Sequence, residues 1–82
     1  MAVQYPLATE KAIRMIEAEN TMTFAVDRLA TKQEIAREVE TLYKVKVAKV
    51  RTLITAQGTK RAYVQLTAET PALDVATQLG LL

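Results

Sequence analysis

Between Thr21 and Thr67 the apolar residues switch from strand spacing to helical spacing and back, and this switch limits the architectures open to the chain. From Thr21 to Val26 they alternate strictly. Met22, Phe24 and Val26 fall on one side and Thr21, Thr23 and Ala25 on the other, which predicts a half-buried strand. From Thr31 the period becomes helical: Ile35, Ala36, Val39, Leu42 and Tyr43 line one face, and Arg37, Glu38 and Thr41 the other. Thr31 and Glu34 have the spacing of a capping box, in which hydroxyl and carboxylate each accept from an orphan amide. Glu40 and Lys44 stand four residues apart in the favourable order, a pair worth roughly 0.2–0.5 kcal/mol.

Val45 to Thr55 is β-branched and extended, but its parity changes midway. Val45 and Val47 are odd apolar positions, whereas Val50 and Ile54 are even, so a bulge or bend near Ala48 is expected. Gln57-Gly58 marks a turn. Lys60 to Thr67 alternates again, with Ala62, Val64 and Leu66 on one side and Arg61, Tyr63 and Gln65 on the other, which predicts a hairpin with the preceding strand.

The flanks complete the order. Ala2 to Tyr5 reads as a short strand ended by Pro6. Thr9 to Glu19 reads as a helix with Thr9 as N-cap and Ala12, Ile13 and Ile16 on one face. Thr70 is the expected cap of a last helix that has Pro71 at its first position and Gly80 just past its end. Leu73, Ala76 and Leu79 form its apolar stripe. The predicted order is strand-helix-strand-helix-strand-strand-helix, an α+β sandwich on a mostly antiparallel sheet.

Composition narrows the functions. Eighty-two residues, half of them apolar, suffice for one domain with a modest core. Histidine and cysteine are absent, which removes the commonest general base, the thiolate nucleophile and the usual metal ligands. No phosphate-cradling glycine loop is present, since Gly58 stands alone. Glu34, Glu38 and Glu40 read as a solvated helix face. An enzyme is not expected, and no cofactor is implied. Apolar runs fall far short of the ~20 residues of a membrane span. The start of the chain lacks a signal-peptide pattern, so a soluble cytosolic domain is expected, with no membrane insertion.

Charge points to a partner. Between Glu40 and Glu69 lie Lys44, Lys46, Lys49, Arg51, Lys60 and Arg61 and no acidic residue, while the remainder of the chain carries all nine acidic residues. A net charge of +2 thus covers a strongly dipolar distribution, the footprint of a protein that sits on a polyanion. Lys49 and Arg51 share a face of the first hairpin strand, as do Arg61 and Tyr63 on the second. Val50, Ile54, Ala62, Val64 and Leu66 supply the core side. Lysine and arginine neutralise phosphates, and arginine or tyrosine can stack on an unpaired base. Lys11 and Lys32 lie in the first turns of their helices, where the macrodipole favours an external anion over a cation.

The chain resembles the large-subunit ribosomal protein L twenty-three family. The matching pieces are Pro6-Leu7-Ala8-Thr9-Glu10-Lys11, Phe24-Ala25-Val26-Asp27, Ala30-Thr31-Lys32, Val45-Lys46-Val47 with Val50-Arg51-Thr52, and Gly58-Thr59-Lys60-Arg61-Ala62-Tyr63-Val64. They span nearly the whole chain in order. The resemblance implies a four-stranded antiparallel sheet with helices packed on it, over residues 1–82 as a single RNA-binding domain. It implies binding to large-subunit ribosomal RNA at the rim of the polypeptide exit tunnel. The partners it implies are a neighbouring ribosomal protein of the L twenty-nine family and nascent-chain factors such as the signal recognition particle. Carried over by position, Lys11, Thr31, Lys32, Lys46, Thr52, Lys60 and Arg61 become RNA-contact candidates. Lys44, Lys49, Arg51 and Tyr63 join them from the charge and stacking argument. Arg51 departs from the asparagine usual in that family. The Thr55 to Thr59 connection is short where bacterial members carry a long extension, so the chain resembles the archaeal type. The competing reading is a small α+β protein-interaction or ligand-binding regulatory module away from the ribosome. Like charges facing each other across a symmetric dimer of the basic surface argue against it.

Overall fold

The elements follow the predicted order: β1 (Val3–Pro6), α1 (Glu10–Glu19), β2 (Thr21–Val26), α2 (Lys32–Tyr43), β3 (Val47–Ile54), β4 (Lys60–Leu66) and α3 (Ala72–Gln78). They are seen in a computed structural model that describes residues 1–82. The strands form one antiparallel sheet in the order β1-β2-β4-β3. The fold is α+β, a four-stranded antiparallel sheet with three helices.

The core lies between α2 and one face of the sheet. Ile35 and Val39 of α2 join Met22, Phe24, Val26, Ala62, Val64 and Leu66 in one buried cluster. Tyr43 stacks on Phe24 with ring centroids 5.5 Å apart. Leu42, expected on the same stripe, is 46% exposed. The stripe is narrower than predicted because α2 rests on a single flat layer, which its Ile35–Val39 line covers.

β2 corrects a second expectation. It is not half-buried: Thr21 and Thr23 are 1% and 4% exposed. It sits inside the sheet, and α1 brings Ala12 and Met15 against Thr23 and Tyr63 on the face opposite α2. Thr9 caps α1 as expected, its hydroxyl accepting from the Ala12 amide at 3.2 Å.

Glu34 and Glu40 are exposed, as a solvated face requires, and Glu38 is partly buried; each of the three carboxylates also accepts a backbone amide. Glu34 accepts from Thr31 at 3.1 Å, while Thr31 Oγ1 accepts from the Glu34 amide at 3.2 Å, completing the capping box. Glu38 accepts from Ala2 at 2.7 Å and Val3 at 3.1 Å, tying the edge strand β1 to α2. Those two amides, Val3 foremost, hold the Glu38 carboxyl below the usual glutamate range against the opposing effect of burial. Glu40 accepts from Val47 at 3.1 Å, at the start of β3. The expected Glu40–Lys44 pair does not form, because Glu40 is engaged by Val47 and Lys44 has turned into the left-handed C-cap at φ 56°.

The β3–β4 hairpin is as predicted, with the register shift between Val47 and Lys49, around Ala48. Its turn places Gly58 at φ 85°, a conformation that glycine adopts without a Cβ penalty. Strand limits differ slightly. β1 starts at Val3 and includes Pro6, tolerated because β1 is an edge, and β3 starts at Val47 rather than Val45. Ile54, expected in the core, is 50% exposed, because β3 is also an edge strand and its end outruns α2.

The last helix differs most. Thr70 does not cap it and Pro71 is the N-cap, without a side-chain cap bond of its own. Asn20 takes that role from across the fold: its Oδ1 accepts from the Ala72 amide at 2.6 Å. The buried face is Ala72, Val75 and Ala76, whereas Leu73 and Leu79 are exposed. Anchoring the first turn at Ala72 rotates the helix so that this residue faces inward. The C-terminal stop at Gly80 is as expected: Gly80 donates to Thr77 and Leu81 to Ala76, the Schellman pattern.

Candidate nucleic-acid interface

The face opposite α2 carries the charge. In the β3–β4 register Arg51 stands opposite Tyr63, Lys49 opposite Gln65 and Leu53 opposite Arg61. Directly opposed residues share a face, so Lys49, Arg51, Arg61 and Tyr63 form one outer surface. The alternation of β3 produces this only because the bulge at Ala48 resets its parity.

Helix α1 walls this surface on one side. Lys11, Met15 and Glu19 recur at four-residue spacing and line a groove of about 400 Å³ with Arg51, Thr52, Leu53 and Tyr63. Arg51 is held on two sides. Its guanidinium carbon lies 5.8 Å from the centre of the Tyr63 ring, and its Nη2 lies 3.6 Å from Glu19 Oε1. Both side chains of this ion pair are 52% exposed, so solvent screens the attraction and its main effect is orientation.

Of the remaining candidates only Thr52 borders the groove. Thr52 stands opposite Ala62 on the core side of β3 and is partly buried. Lys60 stands opposite Val26, also on the core side, and its ammonium donates to the carbonyls of Ala30 at 2.7 Å and Arg28 at 3.4 Å. Thr31 is occupied by its capping box, with Lys32 exposed beside it at the start of α2. Lys44 and Lys46 are exposed where α2 passes into β3. The structure therefore gathers Lys11, Lys49, Arg51, Thr52, Arg61 and Tyr63 and leaves the others apart.

Met15, Glu19 and Leu53 are groove residues that the sequence reading missed. Their signals were present: Lys11, Met15 and Glu19 share a helix face, and Leu53 continues the parity of Lys49 and Arg51. The clusters of His, Cys, Asp and Glu that hold metals are absent. No helix is long and apolar enough to cross a membrane.

Comparison with known proteins agrees with the fold and the charge. The family model described as ribosomal protein L23 matches residues 1–73. The large ribosomal subunit protein uL23 of Pyrobaculum aerophilum is 58% identical over 76 residues, which cover 93% of this chain and 94% of that protein. Matched over most of its length by both, the chain belongs to the ribosomal protein L23 family.

Proposed function

We propose that this chain binds large-subunit ribosomal RNA through its outer sheet face, as one RNA-binding domain over residues 1–82. As a member of its family it is a structural ribosomal protein of the large subunit, working in translation on the cytoplasmic ribosome. The observation that carries the RNA reading is the convergence of Lys11, Lys49, Arg51 and Arg61 on one surface beside Tyr63. Glu19 is the single carboxylate among them. Cations gathered this way neutralise phosphates and release counterions on binding.

On this reading the chain sits at the rim of the exit tunnel beside a protein of the L twenty-nine family. The surface around α2 stays open to nascent-chain factors such as the signal recognition particle. The tight Thr55 to Thr59 turn keeps the hairpin short, which argues against a direct tunnel-lining role.

Sedimentation with native large subunits, washed at rising salt, tests the assignment. Stoichiometric retention through a high-salt wash is expected. Release at low salt would reject it. A ribosomal RNA fragment that bound no better than scrambled RNA at moderate salt would reject the specific contact.

A further inference from the structure

We infer that the groove between α1 and the outer sheet face receives one unpaired nucleotide, its base stacked on Arg51 and its amino-bearing edge read by Glu19. This rests on the RNA reading above and names what that surface selects.

The lining is wrong for phosphate contact alone. Met15 and Leu53 give the groove apolar walls, and Leu53 is 51% exposed opposite Arg61. A phosphate gains nothing from aliphatic walls, whereas the faces and edges of a base do. The volume of about 400 Å³ lies in the range of single small-molecule sites. A duplex has no way to enter a cleft bounded by a helix on one side, so the occupant is a base turned out of its stack.

Arg51 is prepared for stacking. The guanidinium carbon lies 5.8 Å from the centre of the Tyr63 ring, and Glu19 Oε1 lies 3.6 Å from its Nη2. The ion pair leaves the Arg51 side chain 52% exposed, so its guanidinium stays accessible to a ligand. It remains a planar surface on which a base can lie.

Glu19 sets the preference. A carboxylate repels phosphate and accepts hydrogen bonds, and the donors on a base are exocyclic amino groups and ring N–H. Guanine, cytosine and adenine each offer an amino group. Uracil presents carbonyl oxygens on both sides of its single N–H, so it is disfavoured beside Glu19. Lys11, at the margin of the same groove, is placed for the phosphate.

A further observation points to a ligand. Thr23 Oγ1 has no hydrogen-bond partner in the protein, although Thr23 is only 4% exposed. It borders a narrow cleft of about 10 Å³ shared with Lys11, Arg61 and Tyr63. That space suits one water, through which the hydroxyl can reach a ribose or phosphate oxygen bound beside Lys11.

The test is a titration of the full chain, labelled at its methionine methyls, with GMP, AMP, CMP, UMP and ribose 5-phosphate. The Met15 methyl and Tyr63 ring resonances are expected to shift. The amino-bearing nucleotides should bind about fivefold or more tighter than UMP or ribose 5-phosphate, as one specific edge contact provides. Arg51→Lys keeps the charge but removes the plane, and should bring all five ligands to equal weak affinity with an unchanged amide spectrum. Glu19→Gln should erase the discrimination against UMP while the Met15 shift persists. An unmoved Met15 methyl, or ribose 5-phosphate binding as well as GMP, overturns the inference. If the ribosomal RNA fragment still binds with steep salt dependence in that case, the groove assignment alone fails. Nucleotide binding as expected with no fragment binding would instead reject the ribosomal RNA reading and keep the groove.

Discussion

Asn20 Oδ1 accepts a hydrogen bond from the amide of Ala72, 52 residues further along the chain, at 2.6 Å. The same side chain donates through Nδ2 to the carbonyls of Leu66, Thr67 and Thr70 at 3.0–3.1 Å. Asn20 is also the C-cap of α1, in the left-handed region at φ 53°. One residue thus ends a helix, holds the end of β4 and starts α3. Asparagine suits the place because it tolerates that backbone conformation and carries both a donor and an acceptor.

Asn20→Ala should therefore destabilise the chain by about 2–4 kcal/mol, the loss of several buried-end hydrogen bonds together with strain at positive φ. Asn20→Gly, which adopts the backbone freely, should recover about 1 kcal/mol of that. Urea midpoints compare the two. A midpoint shift below 0.5 kcal/mol for Asn20→Ala would remove Asn20 from this role.

Glu38 predicts an acid dependence. Its carboxyl is held low by the Val3 and Ala2 amides, so the folded state binds a proton less readily than the unfolded chain. The stabilisation is complete above the ordinary glutamate range and is lost as pH falls through the lowered folded value. Glu38→Gln should flatten the fall in urea midpoint over that acid interval and speed exchange of the Ala2 and Val3 amides. An unchanged acid profile would show that the anchor is not worth its geometry.

Tyr43 predicts the opposite limb. Burial against Phe24 raises its phenol above the usual tyrosine range, because the interior disfavours the phenolate. This contribution is full below the ordinary tyrosine value and is lost as pH rises through the raised one. Tyr43→Phe should remove that alkaline loss while leaving neutral stability within ~1 kcal/mol. Phe24→Ala, with the ring fully buried, should cost about 3–5 kcal/mol by thermal or urea unfolding.

The basic residues separate by salt dependence. Lys49→Ala and Arg61→Ala should each flatten the log–log salt slope of RNA binding by about one unit. Lys60→Ala should leave the slope unchanged and lower stability, since its ammonium is bound to the Ala30 and Arg28 carbonyls. Equal slope changes for all three would place Lys60 on the RNA as well.

What could be read from the sequence was local. The period of apolar residues marked the elements in order, the Thr31–Glu34 spacing marked a capping box, and the parity change marked the bulge at Ala48. Gly80 marked the last helix end, and the acid-free interval marked the basic hairpin. Each signal is contained within a few residues or a single strand, so propensity and periodicity suffice. The remainder depended on partners distant in the chain. The strand order β1-β2-β4-β3 buries Thr21 and Thr23, and a distant carbonyl claims Lys60. Backbone amides of β1 and β3 claim Glu38 and Glu40, and the Asn20 amide replaces Thr70 as the cap of α3. The groove itself joins Lys11 and Glu19 of α1 to Arg51 of β3. A side chain's charge and hydrogen-bonding capacity are properties of its type, but which group satisfies them is a matter of distance, and only the folded chain sets those distances.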